Sequence, residues 1–392
     1  MNQPATSQSK ISPEHRLSGY FITQFMAGGA ATVFAGIWFA SKGLNTDQIG
    51  LLNTVPIAAL LCINMFVGRL ADKASDWKQV ITLGALLSAI FPFGLFYVTD
   101  FWGILLFWSL ATIAQAAIVP VADAAAMRMT RRRGSDFGAV RAWGTIGFML
   151  ALFATGYLVT WFGKDFFLPL FVGLAVLRGL ASLALPKLRA GKDEQTQTEG
   201  ATRLLHVMKP WFLLPLFGWS MVFATHLVLN GFQSLLWQKE GIPTNIIGIL
   251  IAVGALSEAV MLFAFKRFQG KYSARKLILA SCIVSVLRWV AMAFSPSVPL
   301  LFALQTLHSI TFALGFLGCM NFITNWTSED IAAEAQSFFV ILQQITAIVA
   351  ISGFGYLAGI YGTKAYLASA AFAAVGAMLV YMSLKMQQPK SA

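Results

Sequence analysis

Apolar residues run in long unbroken stretches along this chain, and short polar turns divide them into twelve. The stretches cover 17–40, 48–70, 78–98, 101–127, 139–163, 166–186, 210–237, 244–268, 273–294, 297–320, 333–357 and 363–385. A helix needs about 20 mostly apolar residues to cross the hydrocarbon core of a bilayer, and most of these have that length. Barrel strands would alternate apolar and polar residues over shorter segments, and these stretches do not alternate. A helix also satisfies its own backbone in lipid. The pattern predicts an all-α integral membrane protein with 12 transmembrane helices. Composition fits: 57% of residues are hydrophobic and only 11% charged, against roughly 25% charged in soluble domains. A soluble fold this apolar would expose large sticky patches.

The longest hydrophilic stretch, 187–209, falls between the sixth and seventh spans and carries Lys187, Arg189, Lys192, Asp193 and Glu194. It reads as a cytoplasmic linker. It divides the chain into a tail (1–16), an N-terminal six-helix bundle (17–186), a C-terminal six-helix bundle (210–385) and a second tail (386–392). The halves echo each other. Gly43-Leu44-Asn45-Thr46-Asp47-Gln48-Ile49-Gly50 stands ahead of the second span, and Gly241-Ile242-Pro243-Thr244-Asn245-Ile246-Ile247-Gly248 ahead of the eighth, an offset of 198. Gly156-Tyr157-Leu158 near the end of the fifth span returns as Gly355-Tyr356-Leu357 in the eleventh, an offset of 199. An even number of spans per half makes the repeat parallel. Transporters built this way bind solute near mid-membrane between the halves.

The formal net charge is +12, which by itself would suit a nucleic-acid partner. Its distribution argues otherwise. With the N-terminus inside, about 22 of the 28 Lys and Arg lie on the cytoplasmic side; Lys42, Lys164, Lys239 and Lys364 lie opposite, and Arg178 and Arg288 fall within spans. That asymmetry is the positive-inside rule and predicts cytoplasmic termini. Basic runs such as Arg131-Arg132-Arg133 then face anionic lipid, and no nucleic-acid partner is expected. The three cysteines, Cys62, Cys282 and Cys319, sit in apolar stretches and form no disulfide framework. The polar first 16 residues and full-length first span do not read as a cleavable signal. The expected location is a bacterial inner membrane.

Two sets of residues carry a family resemblance. Gly68-Arg69-Leu70-Ala71-Asp72-Lys73 after the second span resembles the loop signature of the major facilitator superfamily, with Ser75 and Asp76 where a further glycine is usual. Gly68, Asp72 and Lys73 would then act in conformational change. Val119-Pro120-Val121-Ala122-Asp123-Ala124 and Gly138-Ala139-Val140-Arg141-Ala142-Trp143-Gly144 resemble the phenylpropionate permease family. So do His226, Gly231-Phe232, Trp237, Glu258, Arg288-Trp289 and Leu307-His308. The resemblance covers nearly all of the chain and implies two pseudo-symmetric six-helix bundles of the major facilitator fold. The spacings from Asp123 to Arg141 and from Arg288 to His308 are also similar to those of lactose-type proton symporters. Those carry another acid one turn after the histidine, where this chain has Thr311.

Ionised side chains are costly in mid-bilayer, roughly 2.5–3.5 kcal/mol on insertion scales, so they mark the places to look for function. Asp123 and Arg141 fall at similar depth on either side of a cytoplasmic turn, which predicts an ion pair. Arg141 could hold a substrate carboxylate with its planar fork, with Asp123 holding Arg141 or binding the solute. A structural pair near the interface is the plainer alternative. Trp143 could stack on a ring, or simply favour the interface. Glu258 lies mid-span among Val253, Leu256, Val260 and Leu262. Desolvation disfavours a charged carboxyl there, which suits loading and releasing a proton. His226 and His308 fall at comparable depth and titrate in the physiological range, though a histidine in a bundle is often a packing residue. Arg288 is a second candidate anion contact, with Glu258 or the substrate as partner. Arg178 could pair with Asp123. Phe232, Trp237 and Trp289 could line a ring pocket, with lipid-facing or packing roles as the alternative.

The four histidines, 15, 206, 226 and 308, are too scattered for a metal site. No Gly-rich loop followed by Lys-Ser/Thr cradles a nucleotide, and no catalytic constellation stands out. No cofactor is expected. The expectation is a monomeric, proton-coupled importer of a small organic anion, an aromatic carboxylate in particular, with the substrate, protons and lipid as its partners. Sugar or nucleoside symport, drug efflux and a membrane sensor are the rivals.

Overall fold

A computed structural model describes residues 11–189 and 202–386. The expected tails and most of the linker therefore lie outside the described residues. No β-strand occurs among those that are described, and apart from the short helix Leu204–Val207 the helices among them follow one another as twelve rods. These are α1 (Pro13–Ser41), α2 (Thr46–Lys73), α3 (Trp77–Ile90, continued by a 3₁₀ turn Phe91–Phe96) and α4 (Phe101–Ala117 and Val119–Arg132). Then come α5 (Phe137–Phe162), α6 (Phe167–Leu183), α7 (Pro210–Val228 with Ser234–Lys239) and α8 (Thr244–Ala264). The last are α9 (Ala274–Met292), α10 (Val298–Thr306 with Gly315–Trp326), α11 (Ala332–Tyr361) and α12 (Tyr366–Lys385).

Local chemistry sets several boundaries. Asn45 and Gln48 form a reciprocal capping box at the start of α2. The carboxylates of Asp76, Asp100 and Asp136 accept backbone N–H bonds at the starts of α3, α4 and α5. Each occupies an otherwise orphaned donor. Pro120 lacks an N–H, and α4 is interrupted next to it at Ile118. π turns at Leu229–Gln233 and Ser309–Leu314 interrupt α7 and α10.

Nine helical segments among the described residues are long and apolar enough to cross a bilayer, and the bent α1 makes a tenth. One of the nine, Glu329–Lys385, turns at Gly362 and supplies both α11 and α12. The 19-residue α9 falls outside that set because it carries Arg275, Lys276 and Arg288. The tally is consistent with twelve spans.

Packing reveals the repeat. α1 lies along α5 and α6, and α3 on α6; in the second half α7 lies along α11 and α12, and α9 on α12. The halves meet through α2 against α11 and α5 against α8, which is the same contact taken twice about a pseudo-two-fold axis. Gly163 and Gly362, 199 residues apart, end α5 and α11 with positive φ of 85° and 58°. Glycine is the residue that adopts such backbone without a Cβ penalty.

The two ends of the molecule differ. At the linker end, which carries Pro13 and Lys385, one apolar cluster draws on both halves: Leu17, Phe21 and Val140 with Leu262, Leu317 and Ala332. The hydrogen bonds traced between the halves among the described residues lie at this end or at mid-depth. The molecule is therefore sealed at the linker end.

Candidate functional site

The linker-end seal is built on the loop after α2. The Asp72 carboxylate accepts the backbone N–H groups of Ala333 (3.0 Å) and Glu334 (2.8 Å), at the start of α11, and the indole N–H of Trp77 (3.0 Å). A carboxylate at a helix N-terminus meets the positive end of the helix dipole. Arg69 pairs with Glu334 at 2.7 Å. Gly68 lets the backbones close, since a Cβ there would stand 2.6 Å from Ser337 Oγ and 2.9 Å from the Ala333 carbonyl oxygen. Lys73 is exposed. From the end of α4, Arg128 donates to Thr327 and Ser328, Arg131 to Asn325, and Arg132 to Glu329. Arg189 adds the linker to this knot, donating to the carbonyls of Asp72 and Ala74. Replacing Asp72 with Ala should weaken the seal by about 1 kcal/mol, the worth of a helix cap, or roughly fivefold in the closed-to-open ratio. A cysteine introduced at Ala332 should then react correspondingly faster with a maleimide.

Deeper in, Arg141 of α5 donates from Nε to Asp123 of α4 at 3.1 Å. Three phenylalanines surround its guanidinium, whose carbon lies 4.1 Å from the Phe25 ring centre, 5.5 Å from Phe21 and 5.8 Å from Phe316. Phe21 and Phe25 are one turn apart on α1, and Phe316 comes from α10 in the other half. Among the described residues no hydrogen bond engages the two terminal nitrogens of Arg141, and the side chain keeps 14% exposure. The fork is held at its base and free at its tips.

Four residues along the same face of α5 stands Thr145. Its hydroxyl donates to Glu258 of α8 at 3.0 Å, across the interface between the halves. The other oxygen of Glu258 lies 3.3 Å from Nε2 of His308 on α10. His308 Nδ1 is 3.4 Å from Arg288 Nη1, which also donates to Thr311 at 3.0 Å, while Nη2 donates to Gln305. Thr311 Oγ1 lies 2.9 Å from His226 Nε2, and His226 Nδ1 lies 2.9 Å from the Val222 carbonyl oxygen.

Partner chemistry assigns the protons. A carbonyl only accepts, so His226 carries its hydrogen on Nδ1 and accepts from Thr311 at Nε2. An arginine only donates, so His308 Nδ1 presents its lone pair to Arg288, and Nε2–H donates to Glu258. Both histidines are neutral in this arrangement. One continuous chain thus runs from Thr145 through Glu258, His308, Arg288 and Thr311 to His226.

The remaining expected residues lie elsewhere. Trp143 is two residues from Arg141 and so on the opposite side of α5. It is 40% exposed and packs edge-to-face on Phe263 at 6.2 Å, and the structure does not bring it into the cluster. Phe232 packs on Phe354 at 5.5 Å, beside Gly355. Trp289 lies 5.1 Å from the His226 ring and donates to Thr225, and Trp237 is buried. Glu258 and Arg288 do not pair directly, because His308 stands between them. Arg178 does not pair with Asp123: it donates to Ser88 at 2.7 Å, and its Nε and Nη1 have no partner among the described residues. Sequence reasoning missed Phe21, Phe25, Phe316, Thr145 and Gln305. Only the four-residue spacing of Phe21 from Phe25, and of Arg141 from Thr145, hinted at them.

Asp123 lies beside Arg141 and Glu258 reaches Arg288 through His308, whereas Arg178 has no acidic partner among the described residues. No group of His, Cys, Asp and Glu able to hold a metal ion occurs among the described residues.

The chain matches the MFS_1 like family over residues 15–366. It is 28% identical over 345 residues, 86% of each chain, to the Escherichia coli (strain K12) protein named "Probable 3-phenylpropionic acid transporter". It is 21% identical over 364 residues to the nucleoside permease NupG of the same organism, covering 86% of this chain and 84% of that one. A crystal structure of the Escherichia coli fucose:proton symporter FucP has the same fold, with a TM-score of 0.72 over 97% of this chain and 100% of that one, at 13% identity.

Proposed function

The chain belongs to the MFS_1 like family of major facilitator transporters, and from that premise we propose that it imports a small organic anion together with protons. It is a multi-pass membrane transporter of a small molecule and not an enzyme. The linker end is taken as cytoplasmic because the Lys and Arg distribution favours it, and the membrane is the bacterial inner membrane. The protein works as a monomer by alternating access.

The observation that carries the anion reading is Arg141, fixed by Asp123 at Nε and unengaged at its terminal nitrogens among three phenylalanine rings. A carboxylate fits two parallel N–H donors, and an aromatic body fits beside Phe25 and Phe316. An aromatic carboxylate such as 3-phenylpropionate has both features, and the name of the Escherichia coli relative agrees with it. Arg288 is the second candidate anion contact, reached only when the solute displaces His308, Thr311 or Gln305 from its terminal nitrogens, while Trp143 and Phe232 stand outside the immediate contacts of Arg141.

Protons load on Glu258, with His308 at its other oxygen, His226 ordering Thr311 and Asp123 available beside Arg141. Gly68 and Asp72, with Lys73 at the surface, govern the closing of the cytoplasmic side. Solute and proton sites stand one helical turn apart on α5, at Arg141 and Thr145, so one helix can register both.

Proton-coupled sugar or nucleoside symport is the second reading, favoured by the names of the other two similar proteins. Competition separates the two. In cells expressing the protein, uptake of labelled 3-phenylpropionate should be blocked by unlabelled acid and unaffected by 3-phenylpropionamide, maltose or uridine. Transport of uridine or maltose with no response to the acid would replace the first reading with the second.

A further inference from the structure

We propose that the coupling proton rides on Oε1 of Glu258 and that Thr145 is the group that receives it there, reversing its hydrogen bond from donor to acceptor. The inference rests on the proton-coupled reading above and adds the atom, the partner and the direction of the switch.

It follows from what each neighbour of Glu258 is able to do. Among the described residues two donors reach the carboxylate: the Thr145 hydroxyl at Oε1, 3.0 Å away, and His308 Nε2–H at Oε2, 3.3 Å away. Both suit the ionised form. A protonated carboxyl needs an acceptor for its new O–H, and at 17% exposure leaving it without one costs on the order of 1 kcal/mol. His308 cannot serve, because Arg288 occupies the lone pair at Nδ1 and so fixes the hydrogen on Nε2. A proton on Oε2 would set O–H against N–H. Thr145 has lone pairs as well as a hydrogen. When the proton sits on Oε1, the Thr145 oxygen accepts it. The displaced threonine hydrogen then turns to the carbonyl oxygen of Arg141, four residues back on the helix.

Other charged groups do not compete for the role. Arg141 on α5 faces Asp123, and Arg288 reaches Glu258 only through His308. Gln305 is committed to Arg288, and Lys239 is exposed at the far end of α7. The proton comes from water on the side opposite the seal and leaves to water on the other side, so no further reactant is needed. Because Thr145 belongs to the first half and Glu258 to the second, the reversal occurs at a contact that alternating access must remake. Thr145 is thus a positioning residue for the proton.

Infrared difference spectroscopy of the purified, detergent-solubilised protein across pH tests this without any substrate. The band of a protonated carboxyl that Glu258→Gln removes should move to higher wavenumber in Thr145→Val, which offers no acceptor, and stay in place in Thr145→Ser. In liposomes, Thr145→Val should lower uptake of labelled 3-phenylpropionate driven by an imposed pH gradient about tenfold, within the range for an unsatisfied buried group. Counterflow at equal pH should change far less, and Thr145→Ser should keep both. A band unmoved in the valine variant, or moved equally in serine, overturns the proposal. Failure of the coupling reading looks different: wild-type protein would show no pH-dependent band that Glu258→Gln removes.

Discussion

Replacing Arg141 with alanine is expected to lower the affinity for the anion by roughly thirty-fold to several thousand-fold, with the protein still inserted in the membrane. Truncating one side of a buried, hydrogen-bonded charge pair costs about 2–5 kcal/mol, and each 1.4 kcal/mol is tenfold. Arg141 carries this weight because Asp123 spends only Nε and the phenylalanines shield the rest from water. Arg141→Lys separates charge from shape. It keeps the charge and loses the planar fork, so it should fall between alanine and wild type. Concentration dependence of uptake in membranes matched for protein amount reads both variants. A lysine variant equal to wild type would mean that a point charge is enough and bidentate contact is absent.

Glu258→Gln should split transport into its parts. Glutamine imitates the protonated acid and cannot release a proton, so accumulation against a gradient should disappear while exchange of internal for external anion continues. Charge adds a second expectation. With Glu258 neutral, a bound anion no longer meets the negative charge of that carboxylate. For charges on the order of 10 Å apart at an effective dielectric of about 20, the gain is about 1.7 kcal/mol, which is more than tenfold in affinity. The variant should therefore bind the anion more tightly while failing to concentrate it. Counterflow measured beside net uptake checks both halves. Loss of exchange along with accumulation would mean instead that Glu258 is required for binding or for conformational exchange.

Much of this was legible in the chain. Hydropathy gave the spans within a few residues: the stretch 139–163 became Phe137–Phe162, and 333–357 became Ala332–Tyr361. The stretch 297–320 runs on to Trp326 through a π turn, a feature that average apolarity does not record. Depth counting brought Asp123 to Arg141, because both stand near one short turn. It could not show that His308 stands between Glu258 and Arg288, since side-chain reach and helix rotation decide that. Nor could it show Arg178 settling on Ser88. The phenylalanine setting of Arg141 was hidden for a different reason: in a chain with 33 phenylalanines, three that face a guanidinium look like any that face lipid. Thr145 was hidden because a threonine inside a helix usually bonds its own backbone.

The most direct measurement is uptake of labelled 3-phenylpropionate into liposomes containing the purified wild-type protein, with an imposed pH gradient, acidic outside, set and then collapsed by a protonophore. Transient accumulation above the external concentration, abolished by the protonophore and by Arg141→Ala, is the result expected of a proton-coupled anion importer. Equilibration to equal concentrations regardless of the gradient would contradict it.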